Sequence, residues 1–156
     1  MKTLTMLPTF KDISPTSGLD LDERCALEHF HGLDQSQALS MFRRDPDMIH
    51  VFLDDFVHMG IRAFEYYVPS ISQYIDGLRD KEFIEEAPEI ADYLLIRFSS
   101  DDNISKEMSN LIGKIHERIQ KVPTDYMPRL PARIADALKK YKEAEQVGAG
   151  DAEEAV

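Results

Sequence analysis

Apolar residues recur in this chain at steps of three and four for most of its length, with polar residues between them. Ile49, Phe52, Leu53, Phe56 and Val57 fall on one stripe when residues are set about 100° apart around an axis. Ile104, Met108, Leu111, Ile112, Ile115 and Ile119 form a second seam, and Ile134, Ala137, Leu138 and Tyr141 a third. Start and stop signals cut this pattern into helices. Gly32 ends a first helix over residues 20–31. Asp34 and Gln37 have capping-box spacing and open a second, which runs to Arg44. Asp45 as N-cap and Pro46 at the first helical position open a third, which Gly60 ends. Residues 61–68 read as a short helix that Pro69 separates from another over 70–78. Pro88 starts the next, over 88–98, and residues 101–103 read as a loop and cap. The last two helices, 104–122 and 131–147, flank a turn marked by Pro123, Pro128 and Pro131. So short a connection predicts an antiparallel hairpin.

The expected fold is an all-α, single-domain bundle of about seven or eight helices over residues 19–147, closed by that C-terminal hairpin. Residues 1–18 carry Pro8, Pro15 and Gly18 and read as an extended arm with a short strand at 3–7. Residues 148–156 read as a disordered tail. Internal repeats, βαβ alternation and a glycine-rich phosphate loop are all missing from the pattern.

Length sets what this pattern can bury. A chain of 156 residues favours one domain, and such a domain buries about 70% of the surface its unfolded form exposes. The single cysteine, Cys25, excludes an internal disulfide and a cysteine-based zinc site. The N-terminus lacks the apolar run and cleavage site of a signal peptide, and no stretch is apolar enough for a membrane span. The cytoplasm is the expected location.

Charge changes the picture more. The formal net charge is −11. Such a surface repels nucleic acid and anionic lipid and attracts a basic protein partner. The charge is also split: residues 1–100 hold nine Lys/Arg against eighteen Asp/Glu, while 106–142 hold nine against four. A chain of this kind either folds its basic part onto its acidic part or pairs head to tail as a homodimer.

Several groups of residues could carry chemistry. Glu28-x-x-His31 and Asp55-x-x-His58 have the spacing by which one helix offers two metal ligands. His29, His50 and Asp54 would join His31, Asp55 and His58 in a metal-dependent enzyme. The helical wheel argues against it, because His58 lies almost opposite the Phe52–Phe56 stripe and Asp55 lies off it, on the face expected to be wet. His50, Asp54 and His58 at i, i+4 and i+8 read as surface pairs. Cys25 and His29 are one turn apart, a nucleophile–base spacing, although a helical thiol more often packs as a small apolar group. No cofactor is expected.

The acidic run Glu82, Glu85, Glu86, Glu89 and Asp92 is the expected contact for a basic partner, with Tyr66 and Tyr67 as aromatic anchors. The competing readings are a solvated loop before Pro88 and, for the tyrosines, a buried helix corner. The segment Ala63-Phe64-Glu65-Tyr66-Tyr67-Val68-Pro69, preceded by Leu53-Asp54-Asp55-Phe56, resembles the Ala-Phe-x-Tyr-Tyr-hydrophobic-Pro pattern of small uncharacterised bacterial protein families. The resemblance covers residues 52–74. It implies a bacterial origin and a structural helix–proline corner, and it brings no activity. The function expected from the sequence is a non-catalytic binding protein, of the immunity or antitoxin type, against a basic effector such as a toxin.

Overall fold

The computed structural model describes residues 6–100, 105–122 and 129–153, with side chains for all of these except 98–100 and 148–153. Among the described residues the chain is helical, with eight α-helices, one 3-10 turn and no strand. The bundle architecture read from the hydrophobic pattern is therefore the observed one. The expected strand at 3–7, the loop at 101–103, the Pro123–Pro128 turn and the last three residues of the tail lie wholly or mainly outside the described residues.

Helix α1 (Phe10–Ile13) is a single turn, held by a capping box between Thr9 and Asp12. Its Ile13 is buried, and the Ile13 carbonyl accepts from the Gly60 N–H at 3.1 Å. Gly60 is more than a helix stop. A Cβ there would overlap the Asp12 carbonyl oxygen, so the arm crosses the chain where only glycine fits. Helix α2 (Leu21–Phe30) starts at Asp20, whose carboxylate accepts from the Asp22 and Glu23 amides. Helix α3 (Gln35–Arg44) has the expected Asp34–Gln37 capping box. The 3-10 turn Pro46–Met48 leads into α4 (Ile49–His58).

Helix α5 (Ile61–Asp76) runs straight through Pro69, where the sequence suggested a break. An internal proline removes one ladder bond and costs about 3 kcal/mol in an isolated helix. Here Ala63, Phe64, Tyr66, Tyr67, Val68, Ser70, Ile71, Tyr74 and Ile75 are all buried, and that packing outweighs the cost. The turn around Pro69 is also tied to the start of α3. Gln35 Nε2 donates to the Tyr66 carbonyl at 2.7 Å, and Ser70 Oγ donates to the Gln35 carbonyl at 2.8 Å.

Helix α6 (Asp80–Ser100) likewise runs through Pro88. Its buried residues Phe83, Ala87, Ile90, Ala91, Leu94 and Leu95 step by four, three, one, three and one, so the seam begins before the proline. Helices α7 (Lys106–Gln120) and α8 (Leu130–Glu153) pack on each other and on α6. Helix α8 continues through residues 148–153, part of the segment whose composition suggests disorder.

The core centres on aromatic rings from four helices. Phe30 lies 4.9 Å from Phe56 and 5.0 Å from Tyr67, centroid to centroid, with Phe42 and Phe52 around it. No helix is long and apolar enough to cross a membrane among the described residues.

Candidate functional site

Packing of α2 against α4 brings His29 to Asp55. The His29 Nδ1 and the Asp55 Oδ2 are 2.6 Å apart, across 26 positions of sequence. Asp55 is 3% exposed, so its carboxyl faces the ring and little water. Burial pushes its pKa up to about 6, against the lowering effect of the His29 hydrogen bond and charge. Asp54 adds to the rise and His58 opposes it. The His29 ring is also held edge-on to Phe52, 5.4 Å between centroids at 81°. Its orientation is therefore fixed from two sides.

The burial of Asp55 corrects the wheel-based placement of that residue in water. Helix α4 is covered from more than one direction, by α2 and α6. Met59, just past the helix end, is buried too, and Phe52, Asp55, Phe56 and Met59 follow a three–one–three spacing. Extending the stripe to Met59 moves its centre toward Asp55. That was the available signal.

In front of His29 lies an open groove of about 440 Å³. Its other wall is the uncovered face of α3, with Ser36, Gln37, Ser40, Met41 and Arg44, and Leu33 at the turn below. The opposite face of α3 holds the buried Ala38, Leu39 and Phe42. This groove was not foreseen, because its polar residues look like an ordinary wet helix face.

A second feature arises where α4 packs on α6. Glu85, Glu89 and Asp92 are exposed along α6, while Asp47 and Asp54 are exposed just before and on α4. Their fields overlap. Burial raises the Glu86 pKa first; the Tyr74 hydroxyl bond at 2.6 Å opposes this, and the charges of Glu82, Glu85 and Asp47 add to the rise. Tyr93 is raised by burial and then by Asp54 and Glu89. Half-buried Tyr93 and Ile96, 52% exposed, give this face an apolar component.

The acidic residues named from the sequence are not equivalent. Glu82 forms a salt bridge with Arg79 at 2.7 Å, Glu86 accepts from Tyr74, and Asp92 pairs with Arg133 at 2.5 Å. Glu85 and Glu89 have no cationic partner among the described residues. The tyrosine anchors require a correction. Tyr66 is 5% and Tyr67 0% exposed, and the Tyr67 hydroxyl donates to the Phe30 and Leu33 carbonyls at 2.9 and 2.8 Å. Both are core residues and neither presents a surface. The buried-corner reading of that segment describes them.

The metal-like residues do not meet. His31 packs edge-on to Phe10, Asp55 is taken by His29, and His58 sits near Asp54 and 3.6 Å from Asp22. Among the described residues no three His, Cys, Asp or Glu side chains converge on one point. Cys25 is exposed, against the expectation that it packs inward. Slight desolvation and then the carboxylates of Asp55, Glu28, Asp22 and Asp54 raise its pKa, the opposite of an activated thiol. No family model, curated protein or solved structure matches this chain.

Proposed function

We propose that this chain is a non-catalytic binding protein whose acidic α4–α6 face docks a basic protein segment, as a cytoplasmic immunity or antitoxin protein docks a cationic effector. The observation that carries the reading is that Glu85, Glu89 and Asp47 gather on that face with no cationic partner among the described residues. Where basic residues do meet acidic ones, they pair. Lys114 pairs with Asp76 at 3.0 Å, Arg118 with Asp80 at 3.4 Å, and Arg133 with Asp92 at 2.5 Å. These contacts fold the basic segment onto α5 and α6. Glu85 and Glu89 remain, with Asp47 and Asp54 on the neighbouring element. Like charges held together cost stability, and a basic partner relieves that cost as it binds. Charge of this kind speeds the encounter, while Tyr93 and Ile96 supply apolar contact.

The test uses a basic protein encoded beside this chain. Its association rate with the purified protein should fall at least tenfold between about 0.05 and 0.5 M salt, because added ions screen exposed charges. The double variant Glu85→Lys/Glu89→Lys should lower the low-salt rate to a similar extent while the fold stays intact. An association rate indifferent to both salt and the double substitution contradicts the proposal.

A further inference from the structure

The α2–α3 groove uses different elements from the acidic face, and its chemistry is opposite. In a chain of net charge −11, none of its seven lining residues is a carboxylate. The two that can carry charge, His29 and Arg44, are both basic. Its volume, about 440 Å³, is that of a small-molecule site and far below a protein footprint.

The imidazole is presented, not merely present. Asp55 holds Nδ1 from the buried side, so Nε2 on the far side of the ring is the atom left for an occupant. The 2.6 Å contact shares a proton. If it rests on nitrogen, the ring is either the neutral Nδ1–H tautomer, whose Nε2 accepts, or a cation whose Nε2–H donates. If it rests on Asp55, the carboxyl donates to Nδ1 and the neutral ring carries its hydrogen on Nε2. An anionic occupant selects the forms that carry hydrogen on Nε2, and these aim a donor away from Asp55. A carboxylate on one ring nitrogen fixes the orientation of the imidazole at many ligand sites. On α3, Ser36 and Ser40 are one turn apart and add two hydroxyl donors. Leu33 and Met41 supply apolar surface between these polar groups.

We infer that the groove between α2 and α3 is a binding site for a small organic anion, a carboxylate or phosphate on a short apolar body. The anionic end meets His29 Nε2–H and the serine hydroxyls, and the Arg44 guanidinium, whose Nε already pairs with Asp45 at 3.2 Å, adds attraction through its remaining N–H groups. The apolar body lies on Leu33 and Met41. Asp55 is a positioning residue that acts through His29.

The experiment is a titration of the full chain followed by amide and histidine-ring NMR. The probes are hexyl phosphate, hexanoate, inorganic phosphate and neutral hexanamide. Hexyl phosphate or hexanoate should give saturable shifts confined to the end of α2 and to α3. His29→Gln and Arg44→Met should each weaken that binding at least fivefold, while His116→Gln on α7 leaves it unchanged. Asp55→Asn should weaken binding and change the His29 ring signals without abolishing the site. Hexanamide binding as tightly as hexanoate overturns the anion assignment. Inorganic phosphate binding as tightly as hexyl phosphate overturns the apolar body. Shifts that do not saturate, or that persist unchanged in folded His29→Gln, overturn the site itself.

Discussion

Asp55 shows how a single residue can be costly and still be retained. Its carboxyl is buried beside His29, and its pKa stands at about 6 against an ordinary 3.8. The sign of the consequence follows from linkage. Between those two values the folded state holds a proton that the unfolded state has released, so stability declines as pH rises through the interval. The shift, with the opposing pull of His29 already in it, corresponds to about 3 kcal/mol at most. Asp55→Asn keeps the shape and an acceptor for Nδ1 but cannot ionise. Urea unfolding of both proteins from pH 4 to pH 7 should therefore show the variant gaining stability relative to the parent as pH rises. A constant difference across that range contradicts the assignment. The same residue marks a limit of sequence reading. A wheel drawn through one apolar stripe assigns a residue one environment, and α4 has helices on two sides. Nor does the sequence tell that His29, 26 positions earlier, arrives as the partner. The Tyr66 and Tyr67 pair erred the other way: aromatic abundance suggested a surface, but the ring cluster around Phe30 had room for both.

At the scale of elements, the helical period and the caps were legible. The Asp34–Gln37 box and the seam of α7 are where the residues place them. The two internal prolines misled for a common reason. Proline weakens a helix locally, whereas Phe83 before Pro88 and Phe64 before Pro69 bury rings that continue it. Element ends depend just as much on distant groups. The end of α4 is capped by α6: Arg97 Nη1 donates to the Val57 and Met59 carbonyls at 2.9 and 2.7 Å, and its guanidinium sits 5.0 Å from the Phe64 ring centroid. Buried bonds from a charged donor contribute about 1.5–3 kcal/mol each, and removing the donor strands the carbonyls. Arg97→Met keeps the length and apolar stem while losing these bonds. It should lower unfolding free energy by about 3 kcal/mol in chemical denaturation. A loss below about 0.5 kcal/mol, the range of ordinary surface substitutions, contradicts the capping role.

Across the whole molecule, the division of charge resolves into a division of labour. Lys114, Arg118 and Arg133 pair at the surface with Asp76, Asp80 and Asp92 and so link α7 and α8 to α5 and α6. Arg118 further donates to the Ile75 carbonyl at 2.8 Å and lies 4.2 Å from the Phe83 ring centroid. Glu85, Glu89 and Asp47 keep no cationic partner among the described residues, and the strip they form on α6 and just before α4 is the centre of the proposed function. A competing surface exists. Met6, Leu7, Phe10, Leu19, Leu21 and Ile61 are all exposed apolar side chains near the N-terminal arm, and an association driven by burial would use them. Hydrogen–deuterium exchange of the chain, free and saturated with its basic partner, separates the two directly. The account predicts slowed exchange in α4 and in α6 from Glu85 to Ile96, with the arm and the start of α2 unchanged. Protection confined to the arm and the start of α2, with α4 and α6 exchanging as in the free protein, would contradict it.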